Sequence, residues 1–332
     1  MVLSDRQLRR ELQEAGIANA AINAVWPEWW STEANASLSA TAELTYTVAR
    51  RLGLSPRALF DGSPQFLWHD STKFKNLGTT TDQEQAILAS VGTAVGRCAL
   101  SATTPATFPA TAHAQTVRGA ILRQARFVDL TELLKFCWQT GIPVIQLRVF
   151  PLKQKRMQAM TVKVERRYAI LFGYESEYYA RMAYILAHEI GHILLGHLEH
   201  SDSLLDIDDP LTGGELDTEE VEADRAARVL LTGRADPEIL ADTESYKATQ
   251  LAHAAMAAAD RERIEAGILA LCLGHATGKW AETFGALKVI PPGPQPVGNQ
   301  INELAANQFD WQALSYASRD YLAHVIGRGD NA

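Results

Sequence analysis

Apolar positions recur at helical spacing near the start of the chain, at Leu8, Leu12 and Ile17 and again at Leu44, Val48 and Leu52, where Gly53 stops the run. Two or more short helices are expected there. From Ser101 to Thr116 the chain is rich in Ser, Thr, Ala and Pro and loses its periodicity, which predicts a boundary. A helical pattern returns from Phe127 to Trp138. Residues 142–150 then alternate and are β-branched, a strand signal, and 159–164 with 167–172 form a further strand pair. The apolar stretch around Tyr184 to Leu198 reads as a long helix. Ala223, Ala226, Ala227 and Leu230, at i, i+3, i+4 and i+7, set a small-residue packing face on a second one. Beyond Leu231 the pattern is helical and alanine-rich, broken at 291–296 before a last helix through Trp311 to Ile326. The expectation is an α+β protein, mostly helical with a small β-sheet. It divides into a helical N-terminal domain (1–105), a core (115–235) and a helical C-terminal region of unassigned role (236–332).

The 332 residues carry 31 Lys and Arg against 39 Asp and Glu, a net charge of −8, so the chain as a whole has no attraction for phosphate backbones or anionic lipid. The charges are segregated. Arg148, Lys153, Lys155, Arg156, Lys163, Arg166 and Arg167 stand against Glu165 alone, whereas Asp202 to Asp224 holds ten carboxylates and no Lys or Arg. Such blocks read as solvated faces, or as two sides of a substrate groove. Cys98, Cys137 and Cys272 form no C-x-x-C pair, which fits a reducing cytoplasm and argues against a cysteine metal site or a disulfide framework. No export signal is expected, because no apolar run follows the first residues, and no membrane span, because three histidines and a glutamate interrupt the most apolar stretch.

That interruption carries the chemistry. His188 and His192 in Ala187-His188-Glu189-Ile190-Gly191-His192 are four apart, so at about 100° per residue both imidazoles share one helix face, as two ligands of one zinc ion require. Glu189 is placed to take a proton from the attacking water and pass it to the leaving amine. Two unpartnered histidines and an ionised glutamate would be costly to bury in so apolar a helix without such a purpose. Gly191 removes a side chain where a neighbour could pass close. His197 and His200 do not share the ligand face well; His197 is about 140° from His192 on the same wheel and reads as a capping or surface residue. A third ligand is expected downstream, on the helix of Glu219 to Leu231. There Glu220 and Asp224 share a face, Glu220 to coordinate the metal and Asp224 to orient a ligand histidine from behind. Glu222 is the rival, but it points roughly 200° away from Glu220. Dipole complementation would explain acidic residues at that helix start, though not the two histidines. Tyr178, Tyr179 and Tyr184 lie close enough in sequence to be considered as oxyanion donors, with core packing as the competing role.

The pair AHEIGHILLGH and EEVEADRAARVLL resembles the ImmA/IrrE family of zinc metallopeptidases, over roughly Phe127 to Thr232. Glu43 to Phe60, ELTYTVARRLGLSPRALF, resembles the closing helices of helix-turn-helix repressors. The resemblance implies a zincin, gluzincin-like core and a regulatory endopeptidase that uses Zn2+ and cleaves a partner protein, a DNA-binding repressor of helix-turn-helix type. Ala226 departs from the aromatic common at that place. Through Phe60 six basic residues face six acidic ones, so the front part reads as a docking module ahead of a DNA-binding one. A non-proteolytic metal-binding regulator and a DNA-binding transcription factor remain as alternatives. The intact Glu189 favours the enzyme, since metal binding alone does not need it.

Overall fold

The computed structural model describes residues 3–75, 80–106, 108, 112–154, 157–206, 217–237 and 245–328. Four helices open the chain: α1 (Asp5–Glu14), α2 (Asn19–Val25), α3 (Leu38–Leu52) and α4 (Pro56–Phe60). Each termination has a local cause. Ser4 caps α1 through a reciprocal pair with Gln7, Gly53 ends α3 in the left-handed region at φ 71°, and Ser55 with Pro56 starts α4. A short strand β1 (Thr72–Lys75) follows, then the 20-residue α5 (Asp82–Ser101), α6 (Ala114–Ile121) and α7 (Leu130–Gln139). The expected strand at 142–150 is shorter than its pattern, β2 (Val144–Gln146), whereas β3 (Ala159–Val164) and β4 (Arg167–Phe172) form the expected hairpin. Helix α8 (Tyr179–Leu195), strand β5 (Ser203–Asp206) and helix α9 (Thr218–Thr232) complete the central part. Helices α10 (Ala248–Glu262), α11 (Ala266–Thr277), α12 (Trp280–Leu287), α13 (Val297–Gln308) and α14 (Tyr316–Val325) follow.

The five strands form one mixed sheet in the order β1-β5-β3-β4-β2, with parallel pairs at its two edges and antiparallel pairs inside. Alternation sends the side chains of β3 to opposite layers. Met160 and Val162 join Ile145, Leu171 and Leu205 in a core built with Leu8, Leu44, Val48, Leu52, Leu88 and Val95 from the first five helices and with Leu322 and Val325 from α14. Ala159, Ile170 and Phe172 join Val144 in the other core, which holds α7, α8, α9, α10 and α11. The boundary drawn from sequence at 105–115 therefore marks a change of helix layer. The first hundred residues supply β1 and share their core with the sheet.

The C-terminal helices close the sheet's β2 edge. The Asn302 side chain on α13 accepts from the Gln146 amide and donates to the Gln146 carbonyl, both at 2.8 Å, replacing a missing strand partner. Arg51, on the helix that resembles a helix-turn-helix element, is buried and pairs with Asp320 of α14 at 3.0 Å, so it is not a surface cation. Among the described residues no helix is long and apolar enough to cross a membrane.

Candidate metal centre

Two helices and a strand end meet at the site. On α8, the four-residue spacing of His188 and His192 brings their Nε2 atoms to 3.0 Å. Helix α9 crosses close by because Gly191 has no side chain: a Cβ there would stand 2.8 Å from the Ala223 carbonyl oxygen. This approach carries Glu220 in, with its carboxylate 3.3 Å from His188 Nε2 and 3.4 Å from His192 Nε2. Asp217 caps α9 by accepting from the Glu220 amide at 3.0 Å, which holds Glu220 in the first turn. Lys75 of β1 donates to Asp217 at 2.5 Å and to Glu219 at 2.7 Å. Lys73 donates to Glu219 at 2.9 Å, so the N-terminal strand tethers the helix start.

A fourth donor was not legible in the sequence. Asp206, the last residue of β5, is buried with an oxygen 3.3 Å from His188 Nε2 and 3.9 Å from His192 Nε2. His188, His192, Asp206 and Glu220 each offer one ligand atom, all within 4.8 Å of one another. Asp206 belongs to the acidic run expected to be a solvated face or groove wall. That expectation is corrected by burial: Asp206, Glu220 and Asp224 lie in the site, and Asp217 and Glu219 pair with the β1 lysines. The basic hairpin is also engaged locally, Lys163 on the Leu198 carbonyl, Arg167 on the Thr103 carbonyl and Arg148 on Glu175. Lys155, Arg156, Asp208, Asp209 and Glu215 lie outside the described residues.

Behind the donors, each histidine has a different support. Asp224 stands 3.0 Å from His188 Nδ1 and also accepts from the Tyr184 hydroxyl at 3.1 Å. His192 Nδ1 lies 2.8 Å from His197 Nδ1, and His197 Nε2 lies 3.2 Å from Glu222. His197 is thus a buried partner of His192 and not a surface or capping residue; His200 is exposed. The helical wheel misplaced His197 because α8 ends at Leu195 and Gly196, at φ 76°, turns the chain back. Glu222 stays outside the donor cluster. Of the three tyrosines, Tyr184 spends its hydroxyl on Asp224, while Tyr178 and Tyr179 are half-buried against the core.

Glu189 is fully buried. One oxygen accepts from the Thr161 hydroxyl at 2.6 Å, and the other has no partner. Burial, reinforced by the charge of Asp206, holds its carboxyl well above the usual range, against the opposing pull of His188 and Thr161. Burial also raises Glu220, opposed by His188. Burial and the charges of His188 and His197 push His192 well down. At His188 burial acts downward, but hydrogen bonds to Asp206, Asp224 and Glu220 prevail and raise it.

These features test whether a metal ion fits. Among the described residues, Glu189, Asp206 and Glu220 each keep one buried oxygen without a hydrogen-bond partner, a costly arrangement unless a cation satisfies them. The donor separations of 3.0–3.9 Å bracket the edge of about 3.3 Å expected for a tetrahedron with bonds of about 2.0–2.1 Å. Nitrogen and carboxylate donors in this number suit zinc, so the residues fit.

Residues 154–278 match the family model described as Peptidase U49. The matched stretch contains all four donors, Glu189, Asp224 and His197. It is a peptidase family. The match supports proteolytic chemistry for this chain; the family matched is not the ImmA/IrrE family that the motif pair resembles. No curated protein and no solved structure matches the chain.

Proposed function

We propose that the protein is a zinc-dependent endopeptidase in which His188, His192 and Glu220 hold the metal and Glu189 is the general base and acid. The observation that carries this reading is the buried donor cluster with unpartnered carboxylate oxygens next to Glu189, inside a stretch similar to a peptidase family. Zinc would supply Lewis-acid polarisation of the scissile carbonyl and make water a better nucleophile near neutral pH.

The chain's own residues do the rest. For His188 and His192 to present Nε2 lone pairs, each must carry its proton on Nδ1. Asp224 accepts that proton's hydrogen bond from His188. His197 accepts it from His192 and donates its own Nε2 proton to Glu222. One tautomer of each ring therefore satisfies the whole chain of contacts. Thr161 fixes one oxygen of Glu189 and leaves the other to take a proton from the attacking water and pass it to the leaving amine.

The resemblance of the motif pair supports a regulatory role with one partner protein, a helix-turn-helix repressor, as substrate. The three free thiols are in keeping with a reducing cytoplasm. Incubating the enzyme with lysate of its host cell and reading new N-termini by mass spectrometry tests this. A few cleavages are expected, absent with Glu189→Gln and after chelation. Many unrelated cleavages would refute the single-partner reading, and no metal-dependent cleavage under any stress condition would refute the peptidase.

A further inference from the structure

Catalytic zinc sites keep three protein ligands and one open position, whereas four protein ligands make a closed, structural site. This cluster has the parts of both. Its four donors fill a tetrahedron's edges, as a closed site would, yet a buried glutamate that no closed site needs stands beside it. We infer that Asp206 is a displaceable fourth ligand, so that the structure represents a self-capped, latent form of the centre and the working form arises when the Asp206 carboxylate swings out. The inference rests on the reading of the site as a metallopeptidase centre.

The two carboxylates differ in how they are held. Glu220 rides on a 15-residue helix whose start is capped by Asp217 and tethered by Lys73 and Lys75. Asp206 ends a four-residue strand. Its backbone carbonyl is secured by the Gln158 amide at 2.8 Å, but among the described residues its carboxylate pairs with the ligand histidines alone, and its second oxygen has no hydrogen-bond partner there. Among the described residues, rotation about its side-chain bonds would break no hydrogen bond to a group outside the donor cluster. It also stands farther from His192, at 3.9 Å, than Glu220 does at 3.4 Å.

The test uses the full chain loaded with Co2+, with azide as a monodentate probe and the visible absorption of cobalt as readout. A tethered carboxylate competes at a high effective concentration, so wild type should need at least about tenfold more azide than Asp206→Ala for the same spectral change. Asp206→Asn should behave like Asp206→Ala, and both variants should retain one equivalent of Co2+. Equal azide response in wild type and variants would overturn the inference, as would loss of Co2+ from folded variants, which would make Asp206 a permanent ligand. Ready azide binding by wild type alone is equally contrary and needs no variant. Wild type that binds no metal at all would instead overturn the metallopeptidase reading itself.

Discussion

At the scale of single residues, His188 and His192, the proposed ligands, are expected to respond unequally to loss of their supports. Asp224 is buried and receives two hydrogen bonds, so Asp224→Ala should weaken zinc binding by about 10–100-fold. His197→Ala removes the acceptor facing His192 Nδ1 and should fall in the same range. Glu222 is half exposed and acts one contact farther out, so Glu222→Ala should cost less than either. Competition for zinc with a chromophoric chelator measures all three, and a Glu222→Ala loss exceeding that of Asp224→Ala would contradict the arrangement. His188, Glu189 and His192 were readable because their chemistry lies within one helix and follows its period. Glu220 and Asp224 were readable for the same reason. Asp206 was hidden in a run of carboxylates, where nothing local separates one buried acid from its solvated neighbours; the Leu204-Leu205 pair just before it was the only hint.

At the scale of elements, the site depends on how closely α8 and α9 approach. Gly191→Ala would drive a methyl group to 2.8 Å from a backbone oxygen and 3.3 Å from the Ala226 side chain, neither of which can yield without moving α9. A loss of about 1–3 kcal/mol in stability is expected, together with weaker zinc binding because Glu220 moves with its helix. Urea unfolding of the zinc-free protein checks the first effect apart from the second. The same closeness accounts for Ala226, since an aromatic ring there would not fit against Gly191. The hairpin of β3 and β4 was legible because it is local and bounded by polar residues. Strands β1 and β5 were not, because each is four residues long, β5 is buried along its whole length, and they pair with each other across about 130 residues of chain.

At the scale of the whole molecule, one sheet with helices on both faces makes the first hundred residues part of the framework that holds the donor cluster. Deleting residues 1–105 would strip Met160, Val162, Leu171 and Leu205 of their cover and remove the lysines that tether α9. The remaining fragment is expected to aggregate or to lack a cooperative unfolding transition. A fragment that unfolds cooperatively and binds zinc as the full chain does would contradict this description. Composition marked a change in chain character near Ser101 to Thr116, but it carries no information on which layers share a core.

In the proposed arrangement His188, His192 and Glu220 form a zinc site which Glu189 serves without ligating. Elemental analysis of zinc per chain in purified wild type, Glu189→Gln and the double variant His188→Ala/His192→Ala tests it most directly. About one zinc is expected in the first two and none in the third. A zinc-free wild type, or a double variant that holds as much zinc as wild type, would contradict it.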